Sequence, residues 1–102
     1  MINVLIADDE KIEREGLKYL ISTETQEHRI FEASNGKQAL QILREEDIQL
    51  LLTDIKMPQM TGLELSKKAK EEQPDLRSLY SVVSVILHLR RKQYAMALRN
   101  TF

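Results

Sequence analysis

Ile2-Asn-Val-Leu-Ile-Ala-Asp8-Asp9 and Ile48-Gln-Leu-Leu-Leu-Thr-Asp54 are the two stretches that decide how this chain folds. Each is a short, mostly apolar run without the alternation of a half-solvated strand. That is the pattern of a strand buried on both faces of a parallel sheet. Each run ends in acid. Between them, Ile12, Leu17, Leu20 and Ile21 recur at helical spacing and predict a helix over 10–23. Residues 29–33 read as a short strand, Ser34-Asn35-Gly36 as a turn, and Ala39, Leu40, Ile42 and Leu43 as the apolar stripe of a second helix. Met57-Pro58 breaks the chain, and 62–72 is helical in pattern, with Leu63 and Leu65 inward and a Lys-rich outer face. Strand and helix alternate three times with short connections, which predicts an α/β fold: a doubly wound parallel sheet covered by helices on both faces.

Composition narrows the class. At 102 residues the chain is one domain, and 42% hydrophobic with 30% charged residues is ordinary for a soluble globular protein. The absence of cysteine excludes a disulfide scaffold, thiolate zinc sites and cysteine nucleophiles. The longest nearly apolar run, Leu79 to Leu89, is interrupted by Ser81, Ser84 and His88 and is too short to span a bilayer. No basic region precedes the first apolar run, as a secretory signal requires, so the expectation is a cytoplasmic protein with no membrane partner. His28 and His88 have no second ligand at metal spacing, and Met57 and Met60 read as loop and core residues.

In open α/β sheets, ligands bind outside the carboxyl ends of the strands. Asp8 and Asp9 follow the first strand and Asp54 the third, so neighbouring strands would bring three carboxylates into one pocket. Carboxylates that close repel one another unless a hard cation sits between them, and Mg²⁺ prefers oxygen ligands. Taken singly, Asp8 and Asp9 would cap the following helix and Asp54 would start an Asx turn. Their conjunction at two strand ends favours a metal and phosphoryl site.

At these residues the chain resembles a known family. Val-Leu-Ile-Ala-Asp8-Asp9-Glu10 is similar to the opening of a response-regulator receiver domain. Leu-Leu-Thr-Asp54-Ile-Lys56-Met57-Pro58-Gln-Met-Thr61-Gly62-Leu-Glu-Leu resembles the segment around that family's phosphorylated aspartate, with Thr61 where an acid or Ser is frequent. The resemblance covers residues 2–76, and its opening looks most like receivers placed before arabinose-regulator-type helix-turn-helix domains. It implies a flavodoxin-like receiver fold with strand order 2-1-3-4, incomplete at the C-terminus. It also implies that Asp54 is the nucleophile taking a phosphoryl group from a sensor histidine kinase. Asp9, Asp54 and the backbone carbonyl of Lys56 would hold Mg²⁺, with Asp8 acting through a coordinated water. Pro58 would stiffen the loop and Gly62 permit the turn into the third helix. Partners implied are the kinase, DNA through an output domain outside this sequence, and a second copy in a homodimer.

Past Leu76 the pattern fails. The family's Ser or Thr at the end of the fourth strand is matched in place only by Ser81, with no Gly after it, and its Lys-Pro is missing. All sixteen Asp and Glu lie before position 76, against ten Lys and Arg, for a net −6; residues 77–102 carry Arg77, Arg90, Arg91, Lys92 and Arg99, +5, and no acid. A one-base shift of reading frame is the expected origin of the break. With each codon rebuilt from the third base of one and the first two of the next, Met96 into Ala97 forces Gly, Lys92 into Gln93 allows only Ala or Thr, and Asn100 into Thr101 only Tyr or His. A permitted reading contains Val-Leu-Ser-Gly and ends Tyr-Gly-Val-Lys-Glu-Tyr-Leu, which resembles a receiver's fourth and fifth strands. The expected organisation is therefore a receiver over 1–76 and a divergent basic tail over 77–102, an out-of-frame remnant. As translated, 82–87 is β-branched enough for a fourth strand and 90–98 suits a short basic helix.

Two other functions compete. A Mg²⁺-dependent aspartyl-phosphate phosphohydrolase would carry a second Asp two residues after the nucleophile, where this chain has Lys56. A nucleic-acid binder would rest on the basic tail alone, which has no recognised motif. A non-functional truncated receiver is the remaining alternative.

Overall fold

A computed structural model describes residues 2–24 and 27–80. Its elements are β1 (Ile2–Ala7), α1 (Lys11–Glu24), β2 (His28–Ala33), α2 (Gly36–Glu45), β3 (Leu50–Thr53), α3 (Gly62–Glu72) and β4 (Arg77–Tyr80). The four strands form one sheet in the order β2-β1-β3-β4, every pair parallel. This is the doubly wound receiver-type sheet expected from the sequence. β1 is central, and Val4 to Ala7 are buried without interruption, as both-face coverage demands.

The helices divide between the faces. On one face Ala39, Leu40 and Leu43 of α2 and Leu65 and Ala69 of α3 pack with Leu5, Ala7, Leu51 and Leu76. On the other, Leu17 packs with Val4 and Ile6, flanked by half-buried Ile21, Ile30, Leu50 and Leu52. Asn35 caps α2 by accepting from the Gln38 N–H (2.8 Å), and Thr61 caps α3 by accepting from Glu64 N–H (3.2 Å). Thr61 therefore meets the demand of its position, which is a capping oxygen. Arg44 and Glu72 join α2 to α3 through a bidentate pair at 2.6 and 3.2 Å.

Three sequence expectations are corrected. Leu63 is exposed, because α3 turns Gly62, Leu65, Ser66 and Ala69 inward and Leu63 lies about 200° around the helix from Leu65. Ile12 and Leu20 are exposed as well, since the inward stripe of α1 runs through Glu13, Leu17 and Ile21 at i, i+4, i+8. Among the described residues β4 is Arg77–Tyr80, whose ladder with β3 pairs Leu50 with Arg77 and Thr53 with Tyr80. The strand read over 82–87, the helix over 90–98 and His88 lie outside the described residues. β3 begins at Leu50, two residues later than expected, although Ile48 is buried in the core.

Candidate metal centre

The register of the central strands builds the site. Ala7 pairs with Thr53, so the next residues, Asp8 and Asp54, leave adjacent strands side by side. Backbone bonds hold both exits: Asp8 N–H donates to Ala33 O and Asp54 N–H to Ala7 O, each at 3.0 Å. Asp8 is fully buried and Asp54 half-buried.

The two oxygens of Asp8 have different fates. Oδ1 accepts from Glu10 N–H at 2.9 Å at the start of α1, the capping role that its position alone suggests. Oδ2 is buried with no hydrogen-bond donor. Asp8, Glu13 and Asp54 each bring one carboxylate oxygen into a group whose members lie within 4.8 Å of one another. Burial pushes the Asp8 carboxyl up to about 8, helped by the neighbouring Glu13 carboxyl and by the charge of Asp54, and opposed by the Glu10 N–H. A carboxylate accepts hydrogen bonds and cannot donate them, so these groups hold together only around a proton or a cation. An orphaned buried oxygen among oxygen donors fits a hard divalent cation.

Asp54 and Asp8 thus meet as expected. Asp9 stands apart from the group, exposed, and Lys56 lies on the following loop with its side chain in solvent. That loop is tightly drawn. Gly62 N–H donates to Ile55 O at 2.9 Å, and a Cβ at position 62 would stand 2.1 Å from the Asp54 carbonyl oxygen. Close approach, not a left-handed φ, is why glycine is needed there. Within the loop, Met60 N–H closes on Pro58 O (2.7 Å) around Gln59 at φ +68°, a strained γ-turn beside the carboxylates. Glu13 went unread in the sequence. Its signal was phase: an acid in an apolar slot of α1, four residues before Leu17.

Arg14 anchors the outer side, donating from Nη1 to Asp8 O at 2.7 Å and pairing with Glu32, which also meets Lys18 at 3.3 Å. His28 begins β2 at the opposite end of the sheet, away from the carboxylates. No helix among the described residues is long and apolar enough to cross a membrane.

Against known protein families, residues 4–97 match the response regulator receiver domain. The chain belongs to this family. As a receiver domain it is 47% identical over 72 residues to the transcriptional regulatory protein YdfI of Bacillus subtilis, covering 71% of this chain and 34% of that protein. The crystal structure of a two-component transcriptional regulator AraC from Clostridium phytofermentans matches with a TM-score of 0.70 at 33% identity, over 78% of this chain and 63% of that one. Response regulator TrrA of Thermotoga maritima, solved in complex with Mg²⁺-BeF, matches at a TM-score of 0.71 and 32% identity, over 76% of this chain and 66% of that one. TrrA has also been solved in complex with the histidine kinase ThkA. The receiver domain here spans about a third of the length of the first curated relatives that it matches.

Proposed function

We propose that this receiver domain is the phosphoacceptor of a two-component relay, with Asp54 as the acceptor. The observation that carries the reading is Asp54 beside the buried, half-unsatisfied Asp8 at the carboxyl edge of the sheet. An Asp54 carboxylate oxygen attacks the phosphorus of a phosphohistidine on a sensor kinase. The P–N bond breaks, an acyl phosphate forms on Asp54, and the histidine leaves. Mg²⁺ held by Asp8, Asp9, Asp54 and the Lys56 carbonyl would neutralise the phosphoryl oxygens. The chain's own work is positioning: the β1–β3 ladder sets Asp54 against Asp8, and the Gly62 contact holds the loop behind it.

The TrrA structures, one with Mg²⁺-BeF and one with a histidine kinase, support the cation and the partner. Likeness to transcriptional regulators supports a cytoplasmic protein with a DNA-binding output domain. Intact-mass analysis after treatment with acetyl phosphate tests the assignment. A phosphoryl adduct is expected with Mg²⁺, none in its absence, and none in Asp54→Asn. An adduct that survives in the Asn variant overturns it.

For the organisation, we infer a receiver over 1–76 followed by residues 77–102 read out of frame. The charge break and the forced Gly at Met96-Ala97 support this. A parallel strand over Arg77–Tyr80 is compatible with it, because ladder bonds use backbone groups whatever the side chains. Sequencing the DNA beyond codon 76 decides: the shifted frame should run on to a Lys-Pro, and an early stop in that frame defeats the idea.

A further inference from the structure

Glu13 occupies a position that the fold reserves for an apolar side chain. It shares the inward stripe of α1 with Leu17 and Ile21, and only 7% of it is exposed. Glu15, two residues on, faces water, so burial is imposed on Glu13 by its phase on the helix. Its carboxylate comes within 4.8 Å of those of Asp8 and Asp54, and among the described residues no Lys or Arg pairs with it. A first-turn acid gains from the helix dipole when it is solvated, but that gain is small beside the cost of burying it against two other carboxyl groups. Asp8 Oδ2, buried at the same place without a donor, is the second sign that a positive ligand is missing from the balance.

We propose that Glu13 is a further carboxylate of the cation site, acting with Asp8 and Asp54. The proposal rests on the reading in which Asp8 and Asp54 hold a divalent cation. Glu13 offers its oxygen from a helix, whereas Asp8 and Asp54 offer theirs from strand ends, so the cation would tie α1 to the sheet. It would also bind more tightly than the aspartates alone allow, since each added carboxylate raises the attraction for a hard cation.

Calorimetric titration of the full chain with Mg²⁺ at fixed pH tests this, using wild type, Glu13→Gln and Asp54→Asn. Glu13→Gln is expected to raise the Kd about tenfold. Thermal melts separate this role from a structural one. In EDTA the Gln variant should melt at or above wild type, because a buried charge is gone, while Mg²⁺ should lift its Tm less. A merely structural Glu13 would give a lower Tm in EDTA and an unchanged Mg²⁺ lift. A Kd within twofold of wild type in Glu13→Gln overturns the proposal and leaves the aspartate site standing. If wild type binds no Mg²⁺, the underlying reading falls and the proposal with it. Should the Gln variant fail to fold, Glu13→Asp keeps the charge on a shorter arm; a several-fold weaker Kd is expected, and an unchanged one counts against Glu13.

Discussion

The two ends of the sheet share the same strands and treat polar groups in opposite ways. At the amino edge, Asn3, Asp47 and Gln49 knit β1 to β3: Asn3 N–H donates to Gln49 Oε1 and Asn3 Nδ2 to Asp47 O, both at 2.7 Å. Gln49 Nε2 also donates to Asp47 O, and Gln49 N–H to Asn3 O. The orphan at this end is His28 Nδ1, a ring nitrogen that needs carry no charge. At the carboxyl edge three carboxylates converge, an acidic oxygen lacks a donor, and a γ-turn stands in the loop behind them. One edge is built to stay as it is. The other gathers groups that repel as charges, and a proton or a cation lowers their cost.

Three substitutions sharpen that contrast. The largest effect is expected at the carboxyl edge, from Gly62→Ala. Its Cβ would meet the Asp54 carbonyl at 2.1 Å, and backbone cannot swing aside as a side chain does. Urea denaturation should show a loss of about 3 kcal/mol. A loss below about 1 kcal/mol would mean that the loop is free to relax.

The next effect depends on pH. The Asp8 carboxyl titrates near 8 in the folded chain against 3.8 when unfolded. Between those values the native state holds a proton that the unfolded state has lost, so stability falls as pH rises, and the loss is complete above pH 8. In EDTA, wild type should lose on the order of 2 kcal/mol between pH 5 and 7.5, and Asp8→Asn should flatten the slope. A wild-type profile that rises across this range would contradict the burial of Asp8. The smallest effect belongs to the amino edge. Asn3→Ala removes the bond to Asp47 O and should cost about 1 kcal/mol while leaving the acetyl-phosphate adduct unchanged. A lost adduct would show that the two ends are coupled.

Much of this was legible in the residues. Unbroken apolar runs announced β1 and β3 because a strand buried on both faces cannot alternate, and the acids after them marked the site because parallel strands share one carboxyl edge. Helix α3 was readable to its ends from Gly62 and the Lys-rich face, while the Thr61 cap emerged only in the structure. What escaped was phase. Counting apolar residues at helical spacing admitted Ile12, Leu20 and Leu63, which lie off the inward stripes, and passed over Glu13, which lies on one. Asp8 and Asp9 are neighbours in sequence, but the first is buried against Asp54 while the second is exposed.

The central place of β1 also has a consequence in time. Its neighbours on either side are β2 and β3, and it forms no hairpin with anything adjacent in sequence. A ribosome making the chain releases Val4 to Ala7 before either neighbour, and roughly 40 residues more must appear before Leu50 to Thr53 can flank them. At synthesis rates of about 5–20 residues per second, that segment waits roughly 2–8 s for its β3 partner. Early exposure of this one strand is where nascent chains would be caught by chaperones, or by each other.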